Sequence, residues 1–169
     1  GPFRCTRPPL AGEPIMGESY MRSFAFLCLL AACGSAQTGN LGLFTNSDDV
    51  GAPPIHGSAE FDAASGQYKI TGSGTDIWGK ADQFHYVWRQ ISGNFTVTAT
   101  AKFLTDGIDH RKAAIMLRQT TDADSPFVHF VIHGNGMPSV QFRTAKGGNA
   151  NTIDMPILGA GTFQLKLVL

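Results

Sequence analysis

The run Asn94–Phe103 constrains the fold more than any other stretch of the chain. It alternates without a break, with Phe95, Val97, Ala99, Ala101 and Phe103 set against Thr96, Thr98, Thr100 and Lys102. Successive side chains of a strand point to opposite faces, so a period of two gives one apolar face and one wetter face. Similar short runs fill the sequence from Leu41 onward. Asp82–Arg89 sets Phe84, Tyr86 and Trp88 against His85, Val87 and Arg89, and Lys112–Arg118, Pro126–His133, Ser139–Arg143 and Thr162–Leu169 continue the series. Phe61–Ile70 reads as a hairpin turning at Ser65 and Gly66. The connections around Ser125, Asn135 and Gly147 carry Asp-Ser-Pro, Gly-Asn-Gly and Lys-Gly-Gly, which is turn chemistry. No segment keeps a 3.6-residue period. The expected fold is all-β, one antiparallel β-sandwich over residues 37–169. Its last run ends without a turn or a polar tail, which predicts a sandwich truncated at the C-terminus with an open edge.

The first 36 residues are of another kind. Met21-Arg22 leads into an apolar run ending at Ala32, followed by Cys33, Gly34, Ser35 and Ala36. One positive charge, a short apolar stretch and small residues make a secretory signal over residues 21–36. The apolar stretch is about ten residues, against roughly 20 for a bilayer span. Small residues at Gly34–Ala36 suit ordinary cleavage before Gln37. Leu30-Ala-Ala-Cys33 equally resembles a lipobox, in which Cys33 would carry lipid and tether the chain to a membrane. Either way the expected location is extracytoplasmic: periplasm, cell surface or medium. Residues 1–20 are proline-rich and aperiodic, and read as an upstream or non-native segment. No cysteine follows Cys33, so the core must stabilise the domain without an internal disulfide. The formal charge is zero and no basic run exists, which argues against nucleic acid as a partner.

A set of motifs resembles a known family. It comprises Gly57-Ser-Ala-Glu-Phe-Asp62, Gly66-Gln-Tyr68, Gly72-Ser-Gly74, Asp76-Ile-Trp-Gly79, Asp82-Gln-Phe84, Ser92-Gly-Asn-Phe95, Lys112–Arg118 and Gln141-Phe-Arg143. Together they resemble the concanavalin-A-like (laminin-G-like) sandwich domains of uncharacterised bacterial surface proteins. Some of those domains precede a TolB-type β-propeller. The resemblance covers Leu41 to Leu169 and implies a jelly-roll sandwich. Its superfamily holds lectins, sugar-binding modules and glucanases, so function must be argued from the site.

A glycosidase needs two carboxylates flanking the scissile bond. After the signal the chain has one glutamate, Glu60, and no Glu-x-Asp-x-x-Glu run. Asp106 with Asp109, and Asp122 with Asp124, read as solvated turn residues. No Gly-x-Ser-x-Gly elbow occurs. The expectation is therefore a module that is not an enzyme. No cofactor is called for. His129 and His133 share a strand face about 13 Å apart, too far to ligate one zinc directly. Asn46, Asp48 and Asp49 offer loop oxygens of the kind calcium takes.

The sharpest expectation concerns a ligand face. If Val128, Phe130, Ile132, Ile115, Leu117, Val140 and Phe142 line the core, then His129, His133, Arg118, Gln141 and Arg143 face away from it. His85 and Arg89 do the same opposite Phe84, Tyr86 and Trp88. Planar hydrogen-bonding groups of this type suit hydroxyls or carboxylates, and Trp78 would add a stacking platform at the rim. The expected function is non-catalytic binding of carbohydrate or another extended polymer, such as a cell-surface polymer. Two alternatives stand beside it: a structural interaction domain attached to a downstream propeller or enzyme, and a glycoside hydrolase-like enzyme whose catalytic residues lie outside this chain.

Overall fold

The computed structural model describes residues 39–168. The signal at 21–36, the segment 1–20 and the lipidation candidate Cys33 lie outside the described residues. Among those described there are twelve strands and no helix, and every strand pairing is antiparallel. The chain is all-β, consistent with a β-sandwich.

The N-terminal half is built of short pairs. Strand β1 (Asn46–Val50) pairs with β6 (Phe84–Trp88), and β2 (Ser58–Asp62) forms a hairpin with β3 (Gln67–Thr71). That hairpin turns where the sequence predicts. Asp62 accepts hydrogen bonds from Ala64 N–H and Ser65 Oγ–H, and Gly66 takes φ 69°, a left-handed conformation natural to glycine. A two-residue hairpin of β4 (Ile77–Trp78) and β5 (Ala81–Asp82) follows.

The C-terminal half holds the largest sheet, in the order β11 (Asn151–Asp154), β10 (Pro138–Arg143), β9 (Phe127–His133), β8 (Lys112–Arg118). Strand β7 (Thr96–Lys102) pairs with β12 (Thr162–Val168). Its alternation is as predicted: Val97, Ala99 and Ala101 are half-buried, and Thr96, Thr98 and Thr100 are exposed. On β12, Leu165 is buried, and with Phe163 it shares a cavity of about 220 Å³ with Phe130 and Ile132 of β9. One face of the four-stranded sheet is thus covered by β12.

The opposite face is covered as well. Ile77, Phe127 and Ala150 form a buried cluster, with Phe84 and Met116 packed against it. Each large apolar side chain withdrawn in this way contributes about 1.5–3 kcal/mol. Tyr86 Oη–H donates to the Met116 carbonyl at 3.1 Å, fixing β6 over β8.

Candidate functional site

The strand parity predicted for the polar residues is present. Cross-strand neighbours place Arg118, Phe127 and Arg143 in one row and Met116, His129 and Gln141 in the next. The expectation that this face is solvated is corrected. His129 is 0% exposed and Arg143 1%, while His133 and Gln141 are buried and the Arg118 side chain is 1% exposed. The reason is physical. A sheet covered on both faces still alternates, but alternation no longer separates core from water. Polar groups on the second covered face are kept only because they are satisfied internally.

Arg143 is the fullest case. Its Nη2–H donates to Asp82 Oδ1 at 2.7 Å and its Nη1–H to Asp82 Oδ2 at 2.9 Å, a bidentate pair. It also donates to the carbonyls of Trp78, Gly79, Ser125 and Gly148. Arg118 Nη1–H reaches Asp82 Oδ2 at 3.1 Å, and its other nitrogens donate to the carbonyls of Thr120 and Asp122. Burial pulls the Arg118 guanidinium below its usual range, and Asp82 opposes the shift. Two arginines and one aspartate therefore tie three loops to the sheet. They have no free edge for a ligand.

The histidines are likewise internal. His129 Nε2–H donates to Gln141 Oε1 at 3.0 Å, and its Nδ1 has no partner among the described residues. Burial lowers its pKa to about 4. His133 Nδ1–H donates to the Met137 carbonyl at 2.9 Å, and burial lowers its pKa too.

His85, expected on the outward face, is enclosed at 4% side-chain exposure. Its Nδ1–H donates to Asp49 Oδ1 at 2.8 Å, and Ser47 Oγ–H donates to its Nε2 at 2.8 Å. The atom order is that of a nucleophilic relay. Yet Ser47 stands mid-strand in β1, and neither principal cavity touches it. Asp49 is further held by Gly57 N–H and by His56. A Cβ at Gly57 would lie 2.3 Å from His85 Cγ. The arrangement locks β1, β6 and the approach to β2 together.

The calcium set dissolves for the same reason. Asn46, Asp48 and Asp49 lie on strand β1, not in a loop. The strand turns Asp48, which accepts from Trp88 Nε1–H, to the face opposite Asp49. Among the described residues no group of three or more His, Cys, Asp or Glu is placed to hold a metal. Asp122 and Asp124 both pair with Lys146. Arg89 is exposed and donates to the Leu43 carbonyl at 3.3 Å, away from the other candidates. Trp78 is 40% exposed on its hairpin, with Lys112 Nζ 5.9 Å from its ring centre.

The structure brings together a different group, at one end of the sheet. The end of β7, the segment before β8, the β9–β10 turn and the start of β12 frame a half-open cleft of about 320 Å³, lined by Lys102, Phe103, Asp106, Arg111, Gly134 and Phe163 among others. That volume is within the range of ligand sites, roughly 300–1,000 Å³. The rim is braced by main-chain bonds: Asn135 N–H to the Asp109 carbonyl at 3.3 Å and Leu158 N–H to the Gly136 carbonyl at 2.9 Å.

Arg111 dominates the cavity. Its Nη1–H groups donate to the carbonyls of Gly107 at 2.8 Å and Ile108 at 2.9 Å. Its guanidinium carbon sits 4.8 Å above the Phe103 ring centre. Gly134 makes room for it, since a Cβ there would lie 2.4 Å from Nη1. Nε is buried without an acceptor among the described residues, and Nη2 has none either. Nη1 is thus anchored, Nε is closed off by the surrounding protein, and Nη2 is left unpaired. Sequence reasoning passed over Arg111. The available signal was the polar cluster Asp109-His-Arg-Lys112 just before an apolar strand, with glycines in a facing turn. No family model, no curated protein and no solved structure matches the chain.

Proposed function

We propose that this domain is a non-catalytic extracytoplasmic binding module for carbohydrate or another extended polymer. The resemblance to concanavalin-A-like sandwiches points the same way, and so do the signal-like residues 21–36. The observation that carries the reading is Arg111: an arginine anchored through Nη1, with Nη2 unpaired, in a cleft that also offers Lys102, Asp106 and Phe163. Preorganised planar donors beside an apolar ring suit a sugar, which presents hydroxyls on its rim and C–H groups on its faces. The site moves from the sheet face to the sheet end. The buried arginines become the scaffold that holds the covering hairpin in place.

The test is affinity electrophoresis of the chain through gels containing soluble polysaccharides, comparing the parent with Arg111→Ala and, as a surface control, Arg89→Ala. Retardation that is lost in Arg111→Ala and kept in Arg89→Ala supports the reading. Absence of retardation by every polysaccharide removes it.

A second reading, an interaction domain docked to a neighbouring propeller or enzyme, is favoured by one observation. Ile153, Ile157 and Leu158 are close in sequence and at least 60% exposed. Exposed apolar residues grouped in this way suit a protein contact.

A further inference from the structure

The cavity also says which saccharides would enter it. We infer that its ligand is an acidic saccharide, whose carboxylate is held by the unpaired Nη2 of Arg111 and whose hydroxyls are read by Asp106. The inference rests on the binding reading above and names its substrate class.

The charge arrangement carries the argument. Lys102 and Arg111 line the cavity with Asp106, and among the described residues neither cation is within ion-pair distance of a carboxylate. Two cations against one anion leave the site with one positive charge in excess. A ligand with a single carboxylate per sugar unit balances that charge. A neutral sugar leaves the imbalance in place, and a densely charged polyanion brings its further charges against Asp106.

Geometry narrows the choice further. The Nη2 end of a guanidinium offers charged, planar N–H donors to a carboxylate. Nη1 is already committed to Gly107 and Ile108, which prevents the guanidinium from turning away. Phe103 beneath it and Gly134 beside it fix its plane. Nε is closed off by the protein around it, whereas Nη2 has no acceptor among the described residues and is the nitrogen an entering carboxylate oxygen would meet. Asp106 is an acceptor-only group when ionised, so it selects hydroxyl donors. Phe163 adds an apolar wall. Carboxylate, hydroxyls and an apolar ring face occur together in a uronic acid.

The experiment compares two forms of one polymer. Titration calorimetry measures binding of the chain to galacturonic-acid oligosaccharides and to the same oligosaccharides with their carboxylates methyl-esterified. The parent is expected to bind the acid form at least roughly tenfold more tightly. Arg111→Lys, which keeps the charge and loses the anchored planar guanidinium, should lose most of that preference. Gly134→Ala, which pushes Arg111 out of place while retaining it, should do the same. Thermal unfolding of both variants checks that the fold is kept. Equal binding of acid and ester, still abolished by Arg111→Ala, overturns the acidic class and leaves the saccharide reading standing. Preference for the acid form that survives both Arg111→Lys and Gly134→Ala overturns the assignment to Arg111. Binding of neither form, nor of any neutral polysaccharide, overturns both.

Discussion

Asp82 should be the most sensitive single side chain in the described part of the domain. It is fully buried and faces two arginines, with oxygen–nitrogen distances of 2.7 Å to Arg143 and 3.1 Å to Arg118. Asp82→Asn changes the volume little, so no cavity contributes. It removes the one charge that balances two buried guanidiniums. Breaking a buried pair from one side costs about 3–5 kcal/mol. A domain of this size holds only about 5–15 kcal/mol in all. The midpoint of thermal unfolding should fall by about 10–20 °C. Circular dichroism at the β-sheet minimum, followed with temperature, reads this directly. Adding Arg118→Met should return part of the loss, because one unpaired charge leaves with it. A midpoint for Asp82→Asn within about 2 °C of the parent would refute the claim that this triad fastens the loops to the sheet.

Other expectations follow from the same contacts. His129 is pushed down to about pKa 4 in the fold, against 6.5 unfolded. Its contribution is therefore fully present above about pH 6.5 and is lost as pH falls toward 4, on the order of 3 kcal/mol. His129→Gln should flatten the stability profile in that window, as measured by denaturant unfolding at a series of pH values. Gly57→Ala should destabilise markedly, since its Cβ would lie 2.3 Å from the His85 ring; an unchanged melting curve would show that β1 and β6 are not locked as described. A fluorophosphonate probe should leave Ser47 unmodified by mass spectrometry, and stoichiometric labelling would show the relay to be reactive.

Much of this fold is legible in the sequence. Period-two runs with glycine and aspartate turns place β7, β8, β9, β10 and β12 within a residue or two. Strand β1 was missed because Asn46-Ser-Asp-Asp49 is polar enough to look like a loop. Its side chains are taken up by His85, Trp88 and Gly57, none adjacent in sequence. Strands β4 and β5 are too short to show a period. The polar face was correct in parity and wrong in exposure. Alternation reports which residues share a side, and only tertiary packing decides whether that side meets water or another layer. Arg118 and Arg143 therefore looked like ligand contacts, while their partner Asp82 sat inconspicuously beside a turn. The cluster Asp109–Lys112 marks a polar segment, but what sets Arg111 apart within it is the facing turn at Gly134 and the ring of Phe103, which only the fold brings to it.

Hydrogen–deuterium exchange with saturating galacturonic-acid oligosaccharides tests the central claim most directly. The account predicts slowed exchange at Leu104–Arg111 and Gly159–Phe163, the segments that frame the cavity, and no change at Arg118 or Phe127–His129. Protection confined to the Trp78 hairpin or to the exposed threonine face of β7, with the cavity segments unaffected, would contradict it.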